Sequence, residues 1–147
     1  MYHTYEQLKT RLPEEDLVAL VDDERNGVIV QDPPNNAYSR VVEIGESVAG
    51  LIDSYCRGRY SVPFTGDIPD IIVDISLDLH AYRLYKRRQD LTSSDEQQRR
   101  WKNAIGLLNQ IQNGDIRLFD ERPSPPRYDT NKSAADRTFS KERMKLF

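Results

Sequence analysis

A chain of 147 residues, 37% hydrophobic and 31% charged, is long enough for one domain with a core and is polar for its size. No apolar run approaches the ~20 residues of a membrane-spanning helix, and MYHTYEQLK lacks the basic-then-apolar pattern of a secretory leader. The net charge of −3 divides into −5 over residues 1–119 and +2 over residues 120–147, a balance that disfavours a body gripping nucleic acid without specificity.

In chain order, Thr4 and Gln7 make a capping box that opens a short helix with Leu8 and Leu12 on one side. Pro13 suits the first position of a second helix, since it lacks an N–H that would go unpaired there. Glu14, Glu15 and Asp16 favour that helix's dipole, and Leu17, Leu20 and Val21 are its apolar stripe. Asn26-Gly27 and Pro33-Pro34 break the chain, leaving Val28-Ile29-Val30 as either a short strand or an extended loop. From Asn36 to about Arg57, Val41, Ile44, Val48, Leu51, Ile52 and Tyr55 recur at helical spacing. Gly45 and Gly50 inside it each cost about 1 kcal/mol relative to Ala, a cost that close approach of another backbone would offset. Gly58 is its stop.

Pro69 opens the most strongly patterned helix, which runs to Lys86-Arg87-Arg88. Ile71, Ile72, Ile75, Leu79 and Tyr82 form its main stripe, and Val73, Leu77, Ala81 and Leu84 widen it, as in a central helix covered on more than one side. A last helix begins at Ser93, capped through Glu96, carries Trp101, Ala104, Ile105, Leu108 and Ile111, and ends at Asn113-Gly114. Ile116, Leu118 and Phe119 should pack or pair as a short extended segment. The predicted fold is all-α: a small bundle of about five helices over residues 1–119, two short and three longer, with an extended C-terminal arm over residues 120–147. Pro123, Pro125 and Pro126 make the start of that arm a tether, and it closes on apolar residues threaded between cations.

Among candidate chemistry, Asp70, Asp74 and Asp78 fall on one helix face at i, i+4, i+8. A carboxylate metal site in a bundle needs ligands from facing helices, and no other helix offers an acid-plus-His pair, so this face is expected to be solvated or to contact a subunit. His80, on an otherwise apolar helix, reads as a partly buried structural residue, and Cys56 as a small buried apolar one. A lone cysteine also makes no intrachain disulfide, which fits a cytoplasm. No phosphate-binding glycine loop, paired cysteines or serine elbow is present, so no enzyme activity, cofactor or metal is expected. The basic run Tyr82 to Arg88 has two readings: a helix end whose cations complement the dipole, or a nucleic-acid contact. The segment IDSYCRGRYSVPF reads as a structured corner built on Asp53, Tyr55, Arg59 and Tyr60, with Asp53 four residues before Arg57.

That corner, I-D-S-Y-x-x-x-R-Y-x-x-P-F over residues 52–64, resembles the Mu-like phage head–tail connector (adaptor) family. The opening TYEQLKTRLPEEDLVALVDD, the segment from Ile68-Pro69-Asp70 through Tyr82-Arg83-Leu84-Tyr85-Lys86-Arg87-Arg88, and the closing R-x-F-S-K-x-x-M-K-x-F over residues 137–147 agree with it. Cys56, Phe64 and Met144 stand where the family has other apolar residues, which are volume-tolerant exchanges. The resemblance implies a virion structural protein of the neck, assembled in the host cytoplasm. It would form a ring of about twelve copies under the portal protein, extend the DNA channel without binding DNA specifically, and present a surface to the stopper or tail terminator, with Asp70, Asp74 and Asp78 facing a neighbouring copy or lining the lumen. It implies no membrane, catalysis or cofactor.

On this reading the arm is a partner-binding element. Arg137, Lys141, Arg143 and Lys145 would meet acidic rims, while Phe139, Met144, Leu146 and Phe147 enter an apolar groove on the portal or on a neighbouring copy. The alternative is a small helical regulatory or nucleic-acid-binding protein that uses its arginine-rich helix ends.

Overall fold

The computed structural model describes residues 1–88 and 95–119. They form five helices: α1 (Tyr5–Arg11), α2 (Glu14–Val21), α3 (Asn36–Cys56), α4 (Asp70–Arg87) and α5 (Asp95–Asn113). The described residues contain no strand, so the fold is the all-α bundle expected from the periodicity.

Helix starts follow local chemistry. Thr4 Oγ1 accepts the Gln7 N–H at 3.2 Å, and Gln7 Oε1 accepts the Thr4 N–H at 2.7 Å, closing the capping box of α1. Asn35 Oδ1 accepts the Tyr38 N–H at 2.9 Å and caps α3. Pro13 and Pro69 each sit one residue earlier than expected. They are the capping residues themselves, with extended ψ, and their carbonyls accept the first helical bonds from Leu17 and Val73. The expected Ser93 cap of α5 lies outside the described residues. At the other end of α5, Gly114 adopts φ +89°, and the Gln110 carbonyl collects N–H groups from Gly114, Asp115 and Ile116.

α4 is the central element and packs on all four other helices. One side places Ile72, Ile75 and Leu79 among Val48, Ile52 and Cys56 of α3 and Ala104, Leu108 and Ile111 of α5. Its other side places Leu77 and Leu84 among Leu8 of α1, Leu17, Leu20 and Val21 of α2, and Val41 of α3. A helix apolar around so much of its circumference is stable only when enclosed.

The backbone approach expected at Gly45 and Gly50 is corrected, and two open readings are decided. Gly45 is not approached by a backbone: a Cβ there would strike the Met1 side chain and come within 3.1 Å of His80 Cε1. Gly50 is exposed with open space around it, so nothing packs there to offset its helix cost. Val28-Ile29-Val30 is loop, with a single bridge between Gln31 and Pro34 beside it, and Val28 is half exposed. Ile116 and Leu118 pack on the core without pairing as strand.

Leu79 is fully buried in the cluster shared by α3, α4 and α5. Leu79→Ala is expected to cost about 2–5 kcal/mol, read as a lower denaturant midpoint at unchanged slope.

Candidate functional site

The acidic face of α4 is not uniform. α1 packs against it so that Arg11 Nη2 lies 2.8 Å from Asp74 Oδ1 and Arg11 Nε lies 3.8 Å from Asp78 Oδ1. Asp78 is mostly covered, and burial pushes its carboxyl up against the opposing pull of Arg11. Asp70 at the helix start, and Asp67 just before it, are exposed and make no hydrogen bond or ion pair among the described residues. No group of three or more His, Cys, Asp or Glu among the described residues is placed to hold a metal ion.

Arg87 and Arg88, at the basic end of α4, are committed to their own chain. α2 has no cation in its last turn. Its terminal carbonyls are met instead by arginines from two other helices: Arg87 donates to Leu20 O at 2.8 Å, Arg40 to Val21 O at 3.1 Å and Arg88 to Asp22 O at 3.3 Å. The same three guanidiniums surround the Asp23 carboxylate, Arg40 at 3.3 Å, Arg88 at 3.5 Å and Arg87 in direct contact. The Arg87 hydrogen bond is the leading cause holding Asp23 below the usual carboxylate range. Tyr82 stacks on Trp101 with ring centroids 5.2 Å apart. With Arg87 and Arg88 used in this way, the run Tyr82–Arg88 favours the helix-end reading over a nucleic-acid contact.

The corner anticipated around Asp53, Tyr55, Arg59 and Tyr60 is where both ends of the described chain dock. Asp53 accepts the hydroxyl proton of the buried Tyr2, rather than pairing with Arg57, and the same Tyr2 oxygen accepts the Phe64 N–H at 3.0 Å. Burial first, and then the Asp53 bond, push the Tyr2 phenol up to about 12. Tyr60 OH accepts the Leu118 N–H at 3.2 Å, and Arg59 Nη1 donates to Asn113 O at 3.3 Å. Tyr55 is half-buried against the core, and Phe64 lies within ring-contact distance of Tyr2, Tyr60 and Phe119. Sequence reading located the corner and missed Tyr2, whose partner is 51 residues away.

A second long-range pairing was also missed. His3 Nδ1 lies 2.8 Å from Ser76 Oγ, and His3 Nε2 lies 2.8 Å from His80 Nδ1. Both rings are buried, and Nε2 of His80 has no partner. Two ring nitrogens face to face share one proton, which suits neutral imidazoles. Burial accordingly pushes His3 down to about 4 and His80 down to about 3, with His3 and Arg83 adding to the effect on His80. His80 is therefore fully rather than partly buried. Cys56 is likewise buried, and burial pushes its thiol up to about 11, which makes it a poor nucleophile. The arm residues Arg137, Phe139, Lys141, Arg143, Met144, Lys145, Leu146 and Phe147 lie outside the described residues.

The family model described as Bacteriophage Mu, Gp36 matches residues 2–135, nearly the whole chain. The chain belongs to the Bacteriophage Mu Gp36 family. It is therefore a phage protein, and none of its described helices is long and apolar enough to cross a membrane. The Gp36 match takes in the Tyr2 and His3 anchors, the corner and all five helices, and residues 136–147 lie beyond it. No curated protein matches the chain.

The histidine pair makes acid sensitivity testable. Both folded-state values lie below the ordinary 6.5, so the unfolded chain binds more protons from there down to about 4 and about 3. The pair's contribution to stability is thus complete above about pH 6.5 and is lost as pH falls. Denaturant midpoints measured from about pH 7 to about pH 5.5, above most carboxylate titration, should decline in the natural chain and decline less in His3→Gln/His80→Gln. Equal declines would place the acid sensitivity elsewhere.

Proposed function

We propose that this Gp36-family chain is a structural protein of the phage neck, a head–tail adaptor that assembles as a ring under the portal and joins the filled head to the stopper or tail. Membership of the phage family carries the reading, and the way the bundle uses its polar side chains supports it. The arginines of α3 and α4 cap α2, Arg11 ties α1 to α4, and the histidines and Tyr2 fix the N-terminal residues. This polar chemistry holds the chain's own elements in place, as suits a rigid ring component. A heterologous side-by-side contact repeated by rotation closes such a ring without any covalent step.

Leu118 is hydrogen-bonded to Tyr60 and Phe119 lies against Phe64 and Tyr60, so the last described residues are fixed on the corner. Residues 120–147 are read from their sequence alone. Their composition, a proline-rich tether followed by alternating cations and apolar residues, suits an anchor that seats in an apolar groove with acidic rims on the portal or a neighbouring copy. DNA would pass through the ring without specific contacts, in keeping with the acidic body.

Purified virions should contain the chain at about twelve copies per particle, measured by quantitative mass spectrometry. Deleting residues 137–147 should leave filled heads that fail to acquire tails, counted by electron microscopy. Absence of the chain from virions would overturn the neck role, and normal tail joining by the deletion variant would overturn the anchor.

A further inference from the structure

A groove of about 480 Å³ opens between α3 and α4, with Ile44 and Ser47 among its lining, Arg40, Arg83, Lys86 and Arg87 as its cations and Glu43 as its one acid. Four cations and one acid line it, on a body whose sequence carries −5. Arg40 and Arg87 are occupied by Asp23 and the end of α2. Arg83 donates only to Ser47 Oγ, at 2.5 Å, and Lys86 is exposed and makes no ion pair among the described residues.

The same α4 carries the complementary charge. Asp70 in its first turn and Asp67 beside it are exposed and unpaired among the described residues, whereas Asp74 and Asp78 are engaged by Arg11. Sixteen residues separate Asp70 from Lys86, so the two sit about 160° apart around the helix and about 24 Å apart along it. They cannot meet within one chain. A head-to-tail contact between identical subunits joins two different patches, and opposite charges on opposite flanks supply such a complementary pair.

We propose that the Arg83–Lys86 groove of one copy receives the Asp67–Asp70 flank of the next, and that this pairing sets the direction in which copies follow one another around the ring. The proposal rests on the ring reading above and names its subunit contact. It divides the acidic face: Asp67 and Asp70 act between copies, while Asp74 and Asp78 hold α1. It also lays α4 along the circumference rather than along the channel. Duplex DNA is a poorer occupant, because the groove leaves only two cations for phosphates and affinity grows with the number neutralised.

Virions treated with a carbodiimide, which joins amines to carboxylates, should yield a peptide linking Lys86 to Asp67 or Asp70, a link the separation along α4 makes intermolecular. Particles made with Arg83→Glu/Lys86→Glu, or with Asp67→Lys/Asp70→Lys, should carry roughly tenfold fewer copies or less, and combining all four substitutions should restore incorporation. Circular dichroism of each variant separates a lost contact from a lost fold. If the chain is present in virions but the link is absent, or the combined variant is not restored, this contact is wrong while the ring reading stands. If the natural chain is missing from virions, both fall. Steeply salt-dependent duplex binding that Arg83→Glu/Lys86→Glu abolishes would assign the groove to phosphate and overturn the proposal.

Discussion

α4 carries apolar side chains around more than half of its circumference, so it must be enclosed rather than laid on a surface. Ile72, Ile75 and Leu79 need one set of partners, and Leu77 and Leu84 need another on a different side. α3 serves both sets, α5 closes the first, and α1 and α2 close the second. Full burial of each such side chain contributes roughly 1.5–3 kcal/mol. The short helices α1 and α2 would be marginal alone, at 7 and 8 residues, and owe their stability to this packing.

Enclosing α4 brings polar groups with it. Ser76 and His80 lie on the buried part of the helix and must be satisfied from outside it. His3 does this by bonding both, so the residues before α1 become part of the core rather than a loose end. Tyr2 repeats the device one residue earlier, linking Asp53 of α3 to the loop at Phe64. The exposed ends of the helices are handled by arginine, whose planar fork of donors suits carbonyl capping and carboxylate pairing at once. Arg40, Arg87 and Arg88 do so at the end of α2, and their use there leaves Arg83 and Lys86 as the basic end's outward-facing charges.

The separation of inward from outward charge connects the fold to the proposed role, in which a ring subunit holds its own shape and still presents unpaired groups to its neighbours. The acidic face divides at Arg11 and the basic end divides at Asp23, and each division leaves a small free patch at one end of α4. The corner fixes the last described residues to the bundle, with Phe119 against Tyr60 and Phe64.

Local chemistry by itself determined the helices. The Thr4–Gln7 box, the Asn35 cap, the two prolines and Gly114 mark ends within a few residues of the groups they bond, and the 3.6-residue period marks which faces turn inward. Even the double burial of α4 was legible, because its apolar residues exceed a single stripe. Tertiary structure alone decided the partners across long separations. Asp53 with Tyr2, His3 with His80, Arg11 with Asp74, and Arg87 with Asp23 join residues more than 50 positions apart, and no local period encodes which element will lie alongside. For the same reason the face Asp70, Asp74, Asp78 looked continuous in sequence: its spacing is a property of one helix, whereas its charge depends on the arginine that α1 brings to it.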